Sequence, residues 1–349
     1  MLRSLLILIL LLFSHFVNAQ SSEKALPDSS GMHSQALAMI EQPAPSFNKS
    51  LETPAVDSTQ IADMGFEQVY SSTPHTFTMR DGKRLHAQQF EGSSSTTILV
   101  LHGVASSGYL YNRMAGLLQE HTQAEVFALD WRGHGRSEGS PGDVDYVDQY
   151  AEDLGDVVRS LREENPQQTI LLAGHSMGGG ISLRYAMQTD APEVDGYVMF
   201  APLLGNNAPT LQQEMPEASA DTEPFMKIHL PRIIGIYIMN SIGVHDYDAL
   251  PVLFLNMPEG SPLTQYTFRS NASMAPADYK AGLQAINKPL LVVVGSEDEA
   301  FVAAAYAPAV EANSEGEVLV VDGATHNGIR HSKQAMEAIQ SFVQNIELK

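Results

Sequence analysis

Ile170-Leu171-Leu172-Ala173-Gly174-His175-Ser176-Met177-Gly178-Gly179-Gly180 decides the fold. An apolar run with no polar face enters a cluster of glycines around a single serine, and a helix-forming segment follows. The pattern G-x-S-x-G at Gly174, Ser176 and Gly178, set between strand and helix, is the sharp turn that exposes a nucleophilic oxygen. The nucleophile sits there at unfavourable backbone angles, and only glycine on each side leaves room for the close packing. The same turn places the Met177 N–H at a helix start, where the helix dipole favours a developing negative charge.

Outward from this turn the chain repeats one rhythm. Short, nearly continuous apolar runs at 97–101, 125–129, 169–172, 196–200, 290–294 and 317–321 alternate with helical stretches. Such runs read as strands buried on both faces, and parallel neighbours need crossover connections, so the expected class is α/β with a mostly parallel central sheet flanked by helices. The clearest helix is 144–164, where Val147, Ala151, Leu154, Val158 and Leu161 recur three or four positions apart. Upstream, runs at 75–79 and 85–90 around Asp81-Gly82 read as an antiparallel hairpin.

Three further strand ends supply the chemistry that a nucleophilic serine requires. Leu99-Val100-Leu101-His102-Gly103-Val104 ends a strand where a second oxyanion donor should arise, and the Val104 N–H is the candidate beside Met177. Each such donor lowers the barrier by about 3 to 4 kcal/mol, because it acts on charge that exists mainly in the transition state. His102 reads as a brace of this loop rather than a participant. The run 290–294 leads into Gly295-Ser296-Glu297-Asp298-Glu299, which makes Asp298 the orienting acid, with Glu297 and Glu299 read as a solvated acidic turn. The run 317–321 leads into Asp322-Gly323-Ala324-Thr325-His326, which makes His326 the base, while His331 reads as a surface residue. The order Ser176, Asp298, His326 is the order expected for this type of site. Because His326 must be neutral to accept a proton, activity should fall on acidification.

Composition sets the outer limits. With 349 residues and 44% hydrophobic content the chain can bury a large core. A formal charge of -21 argues against nucleic acid or an anionic membrane surface as partner, since both demand clustered Lys and Arg. The acidic run Asp143, Asp145, Asp148, Glu152, Asp153 and Asp156 lacks the spacing of a calcium loop, so neither a metal nor a cofactor is expected. Asn271-Ala272-Ser273 is a glycosylation sequon that matters only in a glycosylating host. Arg3, the apolar run 5–13 and Val17-Asn18-Ala19 read as an export signal cut after Ala19, giving a secreted or periplasmic protein, and with no Cys it carries no disulfide.

The expected organisation is therefore a signal peptide at 1–19, an irregular Ser-, Pro- and Gln-rich arm or linker at 20–64, a core at 65–201 and 287–349, and an inserted cap at 202–286. Within the insertion, 231–244 crowds Ile233, Ile234, Ile236, Tyr237, Ile238 and Met239 together, so that part must be buried or face something apolar.

Taken together, Leu101-His102-Gly103, Asp130-Trp131-Arg132-Gly133-His134-Gly135-Arg136-Ser137, Gly174 to Gly179, and Gly295-Ser296-Glu297-Asp298 resemble the monoacylglycerol lipase and lysophospholipase, serine aminopeptidase S33-like, branch of the α/β-hydrolases. The likeness runs from roughly Thr76 to the C-terminus. It implies a carboxylic ester with a fatty acyl chain as substrate, a cap bearing apolar residues, and transient lipid contact through that cap. It also implies that the D-x-R-G-H-G-x-S loop is a structural turn, so Asp130, Arg132 and His134 take no catalytic role. The export signal, the long arm and the acidic balance depart from the branch's cytosolic members. Two other readings stay open. A peptidase or amidase of the proline iminopeptidase type would need a cap carboxylate, such as Glu214, Glu217, Asp221 or Glu223, to bind an amino terminus. A non-catalytic binding module would show no turnover dependent on Ser176. The residues leave oligomeric state open.

Overall fold

The computed structural model describes residues 29–48, 63–212 and 223–348. Its elements, in chain order, are α1 (Ser29–Ile40), β1 (Thr73–Thr78), β2 (Arg84–Phe90), β3 (Thr96–Leu101), α2 (Asn112–Thr122), β4 (Glu125–Leu129), α3 (Gln149–Glu164), β5 (Thr169–His175), α4 (Met177–Ala186), β6 (Gly196–Phe200), β7 (Met226–Ile228), α5 (Leu230–Ser241), β8 (Pro251–Leu255), β9 (Gln265–Thr267), α6 (Phe268–Ala272), α7 (Tyr279–Gln284), β10 (Leu290–Gly295), α8 (Tyr306–Glu311), β11 (Glu317–Val321) and α9 (Lys333–Glu347). Eight strands form one sheet in the order β1-β2-β4-β3-β5-β6-β10-β11. The hairpin β1-β2 joins β4 antiparallel, and every later pairing is parallel. The carboxyl ends of β3, β5, β10 and β11 therefore share one edge, where sites of doubly wound sheets form.

The apolar runs become strands for the reason their composition suggests. β3, β6 and β10 are buried at every position, and β5 at all but its first, since helices cover both faces. β11 departs from the expectation of burial on both faces: only Val321 is buried. It is the last strand of the sheet, paired on one side alone, so its length serves to carry the following turn rather than to fill the core.

Helix α3 starts at Gln149 rather than at 144. Asp148 sits at φ 82, and the left-handed region cannot continue a helix. All of the acidic run except Asp145 faces arginine: Asp143 pairs with Arg269, Asp148 with Arg184, Glu152 and Asp156 with Arg80, and Asp153 with Arg132. These carboxylates tie α3 and its approach to the sheet and to the segment between β6 and β10.

That segment holds a second sheet, β7-β8-β9, all antiparallel, with α5, α6 and α7. Its apolar stretch has an apolar partner. Ile236, Met239, Val252 and Phe268 cluster with Ala36 and Ile40 of α1. The arm is thus not irregular throughout: 29–40 is helical, because a weakly patterned segment gains a face to bury against α5. A Cβ on Gly235 would lie 2.6 Å from the Ala36 carbonyl oxygen, so the two helices touch backbone to backbone there. His229 Nε2 donates to the Gln42 carbonyl at 2.9 Å and Arg232 Nε to that of Ile40 at 3.1 Å. The expected export signal, residues 1–19, lies outside the described residues. Among those described, no helix is long and apolar enough to cross a membrane.

Candidate active site

Ser176 follows β5 and opens α4 at φ 53, ψ -116, a strained geometry held by its surroundings. The flanking glycines are there for space. A Cβ on Gly174 would stand 2.6 Å from the backbone of Gly178, and one on Gly178 only 2.1 Å from the Leu101 carbonyl oxygen. Any larger residue would push the turn off β3. Ser176 N–H donates to Phe200 O at 3.0 Å, which ties the turn to β6.

The turns after β10 and β11 bring Asp298 and His326 together. Asp298 Oδ2 accepts from His326 Nδ1 at 2.9 Å, and its Oδ1 accepts from the backbone N–H groups of Ala300 and Phe301 at 2.9 and 2.8 Å. Its side chain has no solvent exposure. The carboxylate is thus fully engaged, and the bond to Nδ1 leaves Nε2 as the free face of the imidazole. Glu299, which sequence placed in a solvated turn, is exposed but accepts from the His326 backbone N–H at 2.9 Å, so it anchors the loop of the histidine. Glu297 is exposed and its N–H donates to Ala324 O.

His175, beside Ser176, reaches the same loop. Its Nε2 donates to His326 O at 2.9 Å, and the two rings lie 4.6 Å apart. Its Nδ1 accepts from the Tyr111 hydroxyl at 2.5 Å, which in turn accepts from Gly103 N–H at 2.9 Å. Arg330 stacks over the Tyr111 ring at 4.5 Å. Burial holds the His175 ring neutral, well below its ordinary pKa.

The loop after β3 is held from its other side as well. Ala105, at φ 53, donates its N–H to the Tyr266 hydroxyl at 2.7 Å. That hydroxyl donates to His134 Nε2 at 2.9 Å, and His134 Nδ1 donates to Arg132 O at 2.9 Å. The N–H groups of Val104 and Met177 take no protein acceptor among the described residues, which leaves both open to an incoming oxygen. His102 is fully buried. It donates Nδ1–H to Gly103 O at 2.8 Å and accepts Trp131 N–H at 3.2 Å, the contacts of a brace.

The D-x-R-G-H-G-x-S loop is tied down by its own side chains. Asp130 accepts from Gly108 and Arg136 N–H at 2.6 and 2.8 Å, and Arg132 makes a two-pronged pair with Asp153 at 2.8 and 2.6 Å. Gly135 is required here, since its φ is +51 and a Cβ would lie 2.3 Å from the Asp130 carboxyl carbon. His331 is not the surface residue its position suggested. Neither ring nitrogen has solvent access or a hydrogen-bond partner, and burial pushes its pKa down to about 3.

Sequence reasoning passed over Tyr111, His175 and Tyr266, and read Glu299 only as a solvated carboxylate. The first three act through bonds to residues 8, 64 and 161 positions away, which no local spacing displays. Among the described residues no group of three or more His, Asp or Glu side chains converges to hold a metal ion.

The family described as Serine aminopeptidase, S33, matches residues 92–332. Monoglyceride lipase of Rattus norvegicus is 31% identical over 137 residues, 39% of this chain and 44% of that protein, so the chain spans less than half the length of this relative. Monoacylglycerol lipase of Mycolicibacterium smegmatis is 26% identical over 223 residues, 58% of this chain and 69% of that protein. Among solved structures, Est1E from Butyrivibrio proteoclasticus with bound ferulic acid matches at a TM-score of 0.55 and 17% identity, over 79% of this chain and 100% of that one. The last likeness shows the fold.

Proposed function

We propose, from the premise that this chain belongs to the serine aminopeptidase S33 family of α/β-hydrolases, that it is a serine hydrolase cleaving carboxylic esters, with single-chain lipid esters such as monoacylglycerols or lysophospholipids as its substrates. The observation that carries the reading is the Asp298-to-His326 bond at 2.9 Å on the edge that also holds Ser176 in its strained turn. In this reading His326 Nε2 takes the Ser176 proton, and the Ser176 oxygen attacks the acyl carbon. The oxyanion accepts from the N–H groups of Val104 and Met177. The leaving alcohol receives the proton from His326, and water, activated by His326 in turn, releases the acyl group from Ser176.

The lipid preference draws on the relatives named above and on exposed Phe225, Ile228 and Leu230, which lie on the segment read as a cap and would meet a lipid surface there. Export with a cut after Ala19 belongs to the same proposal, and N-terminal sequencing of the purified protein tests it. The family's description keeps an aminopeptidase reading in view. Of the carboxylates that reading needs, Glu223 is already committed, with Oε2 accepting from Lys227 at 2.6 Å and Oε1 from the Asn48 side chain at 2.9 Å. Glu214, Glu217 and Asp221 lie outside the described residues.

Hydrolysis of 4-nitrophenyl esters of rising acyl length, beside an aminoacyl anilide, separates the readings when run with Ser176→Ala. Turnover lost in the variant and rising with acyl length supports the lipid-ester reading. Anilide turnover alone moves the protein to the peptidases, and no Ser176-dependent turnover of either substrate overturns the hydrolytic role.

A further inference from the structure

The loop Gly103-Val104-Ala105 is held at both ends by buried phenols, each backed by a histidine. Tyr111 takes the Gly103 N–H and passes its own proton toward His175; Tyr266 takes the Ala105 N–H and passes its own toward His134. Only the middle amide, Val104 N–H, is left without an acceptor among the described residues. The two clamps differ in origin. Tyr111 belongs to the core, immediately before α2, whereas Tyr266 belongs to β9, in the segment inserted between β6 and β10.

Tyr266 also holds the more demanding residue. Ala105 lies at φ 53, in the left-handed region that alanine adopts only when its surroundings insist. The bond to the Tyr266 hydroxyl supplies that insistence. Tyr266 is itself fixed, with no exposed surface, in a strand whose neighbour Thr267 donates its N–H to Gly142 O at 3.0 Å.

We propose that Tyr266 is a positioning residue for oxyanion stabilisation: its hydroxyl holds Ala105 in the left-handed conformation and thereby keeps the Val104 N–H free and fixed, so that the oxyanion hole is complete only when the inserted segment is seated on the core. This deepens the ester-hydrolase reading and rests on it. Anything that lifts β9 from the loop, such as a substrate entering beneath the insertion or the insertion moving at a lipid surface, changes the chemical step and not only access to it.

The test is Tyr266→Phe in the full chain, which removes one oxygen and keeps the ring. Under the proposal kcat for a 4-nitrophenyl ester falls about 10- to 100-fold, less than the loss of a whole donor, while KM stays within about twofold. Ala105→Gly placed in the Tyr266→Phe background recovers a substantial part of that loss, because glycine holds a positive φ without help. A purely structural tyrosine would give neither the split between kcat and KM nor the rescue. Hydrogen exchange of the Ala105 amide, measured in the wild-type chain by NMR, reads the bond without any turnover: it should be slow, and faster in Tyr266→Phe. The proposal is overturned by a folded Tyr266→Phe protein with wild-type kcat, by a loss that Ala105→Gly does not restore, by a Tyr266→Phe chain that does not fold in either background, or by fast Ala105 exchange in the wild type. Absence of Ser176-dependent turnover in the wild type, with Ala105 exchange still slow, would instead bring down the hydrolase reading beneath it.

Discussion

His175 Nε2 donates to the main-chain carbonyl of His326 at 2.9 Å, so the residue before the proposed nucleophile, Ser176, anchors the loop that bears the proposed base. The same ring accepts the Tyr111 hydroxyl on its other nitrogen, which requires the neutral tautomer with its proton on Nε2. His175→Ala leaves the proton of that hydroxyl and the His326 carbonyl without partners beside a buried cavity, and should cost about 2 to 4 kcal/mol of stability. Urea unfolding measures the cost. kcat should fall by at least about tenfold in the surviving folded protein, since a small misplacement of His326 is enough to slow proton transfer.

Ser176 is held in a strained conformation at φ 53, ψ -116, where the turn after β5 opens α4. Ser176→Gly should abolish turnover and raise stability by about 1 kcal/mol, as glycine relieves the backbone while the catalytic oxygen disappears. Thermal unfolding beside the ester assay reads both effects. A Ser176→Gly protein clearly less stable than wild type would mean that the turn carries no strain.

Asp298 holds three hydrogen bonds, two from the backbone N–H groups of Ala300 and Phe301 and one from His326. Asp298→Asn can keep a similar shape but favours the wrong histidine tautomer. It should lower kcat by on the order of 10³ to 10⁴ while KM changes little. A residual rate within tenfold of wild type would move the orienting role elsewhere, with Glu299, which holds the His326 backbone N–H at 2.9 Å, as the first alternative.

The molecule stores an acid-sensitivity in its buried histidines. Burial lowers His134 to about 4 and His331 to about 3, and drives His102 and His175 well below their ordinary value. An unfolded histidine takes up its proton near pH 6.5, so below that pH the unfolded chain binds protons that the folded one refuses. Stability is therefore full above about pH 6.5 and declines as pH falls toward 4, by about 2 kcal/mol at pH 5 for each of His134 and His331. Urea midpoints at pH 7, 6 and 5 test the slope. His331 has no hydrogen bond to lose, so His331→Leu should be nearly neutral at pH 7 and flatten the decline.

Why some of this was readable in the sequence and some was not follows from where the forces act. The glycines of the elbow are imposed by contacts between residues four apart and by the strand beneath, so their spacing is written locally. The strands β4, β6 and β11 have the expected bounds, since an apolar run bordered by turn residues has few alternatives. By contrast α1 is Ser-, His- and Gly-containing and shows no strong face of its own; it is helical in the presence of α5, a partner some two hundred positions away. Tyr111 and Tyr266 sit in no motif, because a phenol oxygen that satisfies a distant amide needs only to arrive there. His331 misled for a similar reason: Gly65, far off in the chain, packs so close to its ring that a Cβ there would stand 2.4 Å from it.

The arm and the loop 103–105 are joined through β9 and α6. Tyr266 turns toward Ala105, while Phe268, two residues on, joins the cluster of Ala36, Ile40, Ile236 and Met239 and meets the Tyr237 ring edge-on at 4.9 Å. α1 therefore packs against the segment from which Tyr266 reaches the loop. Ala36→Glu, which buries a carboxylate where Ala36 has no exposed surface and Gly235 leaves no room, should free α1 from α5. Limited proteolysis should then cut near the arm under conditions where the wild type resists. If the insertion is seated by the arm, kcat falls together with this loss of protection while the midpoint of core unfolding is kept. If the arm only covers apolar surface, proteolysis accelerates and kcat stays at the wild-type value.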